Sequence, residues 1–246
     1  MDKSGVKEDL RLLQTKRIYF GHQSVGEDIM NGLRSILQQN TDVPLNLVTA
    51  RGGAVLPESF FLDSFVGENR RTDLKCADFT RNIDSVAGGN LDIAMLKFCF
   101  ADIQRETNIR EILERYTATI DSLKARHPAV TFVHVTVPLS AGTTGFKRLV
   151  NGVLGRVGNN DMANLNRHRF SEMLRERYRE EPVFDLESIE STYPDGTREG
   201  YAYRGETYYS LIGDYAADDG DHLNEKGRNL AAGAMIRFLA DIVAKK

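Results

Sequence analysis

The sequence is poor in cysteine, with only Cys76 and Cys99 in 246 residues. Two cysteines make no disulfide framework, and neither has the spacing of a metal site. Cys99 lies in an apolar run and is expected to be a buried free thiol. No apolar run approaches the length of a membrane span, so none is expected. The opening residues Met1-Asp2-Lys3-Ser4-Gly5 lead into a polar, helix-like stretch without the apolar core of a signal peptide. The sequence as given therefore reads as soluble. A cytoplasmic home and, with a targeting segment removed, a secreted or periplasmic one both stay open. A basic excess is missing too: the formal net charge is −3, with the two signs interspersed, which argues against a nucleic-acid surface. There is no Pro- or Ser-rich linker, no repeat and no low-complexity tract, so residues 1–246 are expected to form a single domain. Oligomeric state is not legible.

What is present is an alternation of strand-like and helix-like segments. Arg17-Ile18-Tyr19-Phe20 is a short apolar run that stops at Gly21, as a buried strand does. Val25, Ile29, Leu33 and Ile36-Leu37 recur at helical spacing, which predicts an amphipathic helix over 25–38. Leu45 to Val48 reads as a second strand, followed by Arg51-Gly52-Gly53, and the segment from there to about 82 reads as irregular. Leu91 to Phe100 reads as a central strand, 109–123 as a long helix ended by His127-Pro128, and Val130 to Val137 as a further strand. Residues 141–159 read as a Gly-rich loop with a short helix, 160–180 as a polar helix, and Val183 to Leu186 as a fifth strand. The Tyr- and Gly-rich stretch 193–217 reads as a hairpin or extended loop. A final helix presents Leu230, Ala234, Met235, Phe238 and Ile242 on one face. Alternation of this kind implies an α/β fold, a mostly parallel sheet of about five strands covered on both faces. Ligands of such sheets bind beyond the C-terminal ends of the strands.

The residues with chemistry fall at the two ends of the chain. Ser24 follows the first strand in Gly21-His22-Gln23-Ser24, and Asp219-Gly220-Asp221-His222-Leu223 precedes the last helix. A serine hydroxyl becomes a useful nucleophile when an imidazole takes its proton, and the imidazole works best when a carboxylate orients it. Asp219 suits that last role better than Asp221, since a side chain reaches across a short turn more easily than back onto its neighbour's ring. Ser24 could simply cap the following helix, a reading compatible with the nucleophile role. Lys97, lodged in an apolar strand, is costly to bury unpaired. It either ion-pairs with an acid such as Asp102 or reaches an oxyanion from the strand's end. His22 could donate to an oxyanion, touch the substrate or fill a pocket wall. Among the other histidines, His134 reads as a satisfied core residue, and His127 and His168 read as surface residues.

This arrangement resembles the SGNH/GDSL hydrolases, a family of esterases, lipases and carbohydrate deacetylases with a flavodoxin-like, three-layer α/β/α fold. The resemblance implies that Ser24 is the nucleophile and that Asp219 and His222 are the acid and base. It also implies that Gly52 or Gly53 gives an oxyanion N–H, although the pair could be only a tight turn. The implied substrate is a carboxylic ester, including O-acetyl groups on carbohydrates, with no cofactor or metal needed. The match has departures. Gly-Asp-Ser becomes Gly-His-Gln-Ser, and the third block reads Cys99-Phe100-Ala101-Asp102, without the family's oxyanion asparagine. Two other readings remain. One is a non-hydrolytic carbohydrate-binding or acyl-transfer protein on the same fold. The other is a metal-dependent phosphoesterase using His22, Asp219, Asp221 and His222.

Overall fold

A computed structural model describes residues 3–50, 56–87, 91–142 and 158–245. In chain order the elements are α1 (Lys3–Leu13), β1 (Arg17–His22), α2 (Val25–Gln38), β2 (Leu47–Thr49), β3 (Phe60–Phe65), α3 (Thr72–Ala87), β4 (Ile93–Leu96) and a 3-10 turn (Phe100–Asp102). There follow α4 (Ile109–Arg126), β5 (Thr131–Val135), α5 (Asn159–Arg177), β6 (Val183–Phe184), α6 (Leu186–Ser191), the hairpin β7 (Gly200–Tyr203) and β8 (Glu206–Tyr209), and α7 (Glu225–Ala244). Six strands form one parallel sheet in the order β2-β3-β1-β4-β5-β6.

Strand residues alternate between the two faces, as the two-residue period requires. Ile18, Phe20, Ile93, Met95, Val133 and Val135 join α1, α2 and α7 in one core. Tyr19, Ala94, Leu96 and Phe132 join α3, α4 and α5 in the other. The result is three layers, helix on sheet on helix.

β1 lies between β3 and β4, and the chain leaves it to one side for β2 and β3, then returns to its other side for β4. The order therefore reverses beside the C-terminal end of β1, where open α/β sheets form their crevice. Ser24 sits directly after that strand end.

Three expectations are corrected. The segment read as irregular contains β3 and α3. Polar residues at buried positions hide their pattern: Asp63 and Ser64 are buried in the strand, and Lys75 is buried on the helix beside Cys76 and Phe79. His168 is buried rather than superficial, its Nδ1 2.5 Å from Glu187. The buried face of α7 is carried by Ala231, Ala232, Met235, Ile236 and Leu239, while Leu230 is exposed. Small residues are required where α2 and α7 approach most closely: a Cβ on Gly32 would come within 2.9 Å of the Ala232 Cβ.

Both cysteines are free and buried, and His134 is enclosed, with Tyr116 Oη at 2.8 Å on one nitrogen and Glu181 at 3.1 Å on the other. The stretch 141–159 falls almost wholly outside the described residues. Among those described, no helix is long and apolar enough to cross a membrane.

Candidate active site

Ser24 has backbone angles of φ 48° and ψ −106°, a positive φ that residues with a side chain rarely adopt. Such a conformation costs on the order of 1–3 kcal/mol and persists only where its surroundings impose it. Its Oγ makes no capping bond to the helix it precedes. It is hydrogen-bonded instead to His222 Nε2, across 198 positions of sequence. The Ser24 and Val25 amides have no partner among the described residues, so the start of α2 leaves free N–H groups beside the hydroxyl.

On the other side of the imidazole, Nδ1 lies 2.5 Å from Asp219 Oδ2. Asp219 Oδ1 accepts the backbone N–H groups of Asp221 and His222 at 2.9 and 3.0 Å. Gly220, at φ 75°, makes the turn that lets the carboxylate face back onto the ring. Those two amides, with the imidazole behind them, hold the Asp219 pKa down to about 2. The Asp221 side chain meets no hydrogen-bond partner among the described residues. Ser24, His222 and Asp219 thus form one hydrogen-bonded chain.

Two residues that the sequence did not single out hold this arrangement. Asp28, one turn along α2 from Ser24, accepts the Leu223 amide at 3.1 Å and ion-pairs with Arg228 at 2.7 Å. It fastens the histidine loop and the start of α7 onto the nucleophile's helix. The Phe100 ring meets the His222 imidazole in a T-shaped contact, with centroids 5.5 Å apart and planes at 86°. Asp28 carried one available signal: it is a carboxylate one turn from Ser24, beside the apolar stripe of the helix.

His22 and Lys97 lie in the interior beside the strand ends. Both are fully buried. His22 Nε2 lies 3.2 Å from Asp63, its Nδ1 has no partner, and burial pushes its pKa down. Lys97 donates to the Phe98 carbonyl at 3.2 Å, and burial lowers its pKa as well. The ion pair expected between Lys97 and Asp102 is made by Lys75, whose Nζ is 2.5 Å from the carboxylate. Asp102 is saturated by that ammonium and by the Cys99 and Arg70 amides, both at 2.7 Å. Gly52 and Gly53 lie outside the described residues.

The four ligands of the metal-dependent reading do not gather. Among the described residues, the one group of metal-ligating type is His22, Glu27 and Asp63. Arg34 already occupies its cationic position, 2.9 Å from Glu27 and 3.7 Å from Asp63.

No protein-family model and no curated protein sequence matches the chain. Solved structures do match, and they show the fold to be that of the SGNH/GDSL hydrolases. An acetyl esterase mutant solved with acetate ion is 12% identical, with 93% of this chain and 97% of that one covered and a TM-score of 0.55. A carbohydrate esterase of family 3 from Talaromyces cellulolyticus is 11% identical over 94% and 98% of the two chains, at a TM-score of 0.53. A protein from Desulfitobacterium hafniense, provisionally described as lipolytic and of the G-D-S-L family, is 10% identical over 91% and 99%, at 0.50. At these identities the likeness is one of fold.

Proposed function

We propose that this chain is a serine esterase that hydrolyses a carboxylic ester through an acyl-enzyme, an O-acetyl ester of a carbohydrate being the first class to test. The observation that carries the reading is the Ser24–His222–Asp219 chain of hydrogen bonds on a strained strand-to-helix turn.

In this mechanism Ser24 Oγ attacks the ester carbonyl while His222 Nε2 takes its proton. Asp219 accepts the Nδ1–H and stabilises the imidazolium, without itself taking the proton. The tetrahedral oxyanion is met by the unpartnered amides at the start of α2, with the Gly53 amide proposed as a further donor. His222 then returns the proton to the leaving alcohol, and the acyl group stays on Ser24. Water attacks that acyl-enzyme, giving its proton to His222, and collapse of the second tetrahedral intermediate frees the acid and restores the serine.

A serine-reactive fluorophosphonate, read by intact mass on wild type and Ser24→Ala, tests the proposal. One adduct on wild type, mapped to Ser24 and lost in the variant, is the expected result. A folded wild type that takes no adduct overturns the reading and turns attention to glycan binding without hydrolysis, which the missing asparagine of the third block favours.

A further inference from the structure

A guanidinium is costly to remove from water unless a negative charge meets it. Arg167, on α5, is 2% exposed, yet every acceptor it touches is neutral. Nε donates to the Phe100 and Ile103 carbonyls at 3.2 and 3.0 Å. Nη1 donates to Ser140 Oγ at 2.6 Å and Asn164 Oδ1 at 2.7 Å. Nη2 has no partner. It is not sealed in the interior either: the buried side-chain atoms left without a partner, among the described residues, are His22 Nδ1 and Glu190 Oε1. The little exposure that Arg167 retains therefore includes Nη2.

The charges around it do not cancel it. Burial lowers the Arg167 pKa to about 10, so the side chain stays cationic at neutral pH. Glu190 acts on it, but burial raises that carboxyl to about 8 and keeps it largely protonated there. Asp221 also acts on it, without a hydrogen bond or ion pair between them.

The position of this unmatched charge is close to the triad. The Arg167 guanidinium carbon stands over the Phe100 ring, 5.7 Å from its centroid, and the same ring meets the His222 imidazole. The cation and the base thus share one aromatic neighbour. Ser140, which Arg167 holds, precedes Ala141, whose amide donates to Gly220 of the histidine loop at 2.6 Å.

We infer that Arg167 anchors an anionic group of the substrate, so that the ester taken at this site carries a carboxylate or phosphate near its scissile bond. The inference rests on the esterase reading and narrows its substrate class. Nη2 is the contact point, and Phe100 forms the apolar wall between the anion and the reacting carbonyl. Asp221 competes for the same cation when the site is empty. A clamp that merely tied the Phe100 turn to Ser140 would use the four bonds already made and would be indifferent to substrate charge.

The test uses two pairs of esters that differ in charge. Mono-4-nitrophenyl adipate against 4-nitrophenyl heptanoate places the charge on the acyl side. Acetoxybenzoate against acetoxybenzamide, both 4-substituted, places it on the alcohol side. In wild type the charged member of one pair is expected to have a kcat/KM about tenfold or more above its neutral partner, the scale of a charge-assisted hydrogen bond. Arg167→Gln brings that ratio to about one, Arg167→Lys keeps part of it, and Asp221→Asn raises it. A structural clamp lowers both members together and leaves the ratio alone. Preference for the neutral member in both pairs, or a ratio that survives Arg167→Gln, overturns the inference. If Arg167→Gln fails to fold, an unchanged ratio in both Arg167→Lys and Asp221→Asn does the same. Fluorophosphonate labelling of Ser24 without turnover of any ester also overturns the anchor but leaves the nucleophile standing. Absence of both labelling and turnover fails the esterase reading itself.

Discussion

Gly26 lies directly on the ring of His22. A Cβ at that position would come within 2.7 Å of His22 Nδ1 and closer still to the Cβ and Cγ of the same residue. The contact explains why the start of α2 tolerates no side chain there, since His22 cannot retreat. Its ring is enclosed by Phe20 and Phe65, with centroids at 4.8 and 5.3 Å, and tied to Asp63. Gly26→Ala is expected to push the helix start away from the strand, costing about 1–3 kcal/mol of stability as overpacking does. Because Ser24 stands two residues before it, fluorophosphonate labelling should slow more than the loss of folded protein accounts for. Urea unfolding and labelling kinetics on one preparation separate the two effects.

Asp219 and Asp221 flank Gly220 and differ in what they touch. Under the esterase reading, Asp219→Asn lowers kcat on the order of 10²–10⁴-fold, because an amide cannot stabilise the imidazolium. Asp221→Asn leaves turnover of a neutral ester within about threefold, since its side chain makes no bond to the ring. Steady-state rates on 4-nitrophenyl acetate decide between them, and equal losses in the two variants would contradict the assignment.

Glu190 makes stability depend on pH. Its folded pKa is raised to about 8 by burial, against 4.5 in the ordinary case. Between those values the folded carboxyl keeps its proton while the unfolded one releases it. Wild-type stability is therefore fully present below about pH 4.5, falls as pH rises through that window, and levels off above about 8. Glu190→Gln removes this slope and retains an acceptor for the Leu139 amide, which Glu190 holds at 2.8 Å. The variant should gain on the order of a few kcal/mol over wild type at pH 9 and little at pH 4. Denaturant unfolding at several pH values reads the difference.

Lys75 and Asp102 form a fully buried pair. Asp102→Ala strands the ammonium and frees the Cys99 and Arg70 amides, so a loss of about 3–5 kcal/mol is expected. Replacing both partners with apolar residues should recover part of that loss, and a double-mutant cycle measures how much.

How much of this was legible in the sequence depends on whether polar residues sat where polarity predicts. The run Arg17–Phe20 marked β1, although the strand continues through Gly21 to His22, and the Val25–Ile36 period marked α2, because in both places apolar residues face the core. β3 and α3 were illegible because Asp63 and Lys75 are buried through specific partners, Thr49 and Arg34 for the one and Asp102 for the other. Pattern reading sees a charge and places it outside. The pairing of Ser24 with the Asp219–His222 turn came from chemical type and family resemblance, since no local pattern reports a contact across 198 positions. Asp28 and Arg167 escaped for a related reason: what distinguishes them is the partners they meet in space.

The bond from Asp28 to the Leu223 amide joins positions 195 apart and brings the serine under the histidine. A chain emerging from a ribosome would have its hydroxyl long before its imidazole, and nothing to activate it in between. Only when α7 docks against α2 do the halves meet. Under the esterase reading, hydrolysis then acts as a completion signal: a chain interrupted anywhere before the histidine loop would be chemically silent, however well its earlier strands had paired.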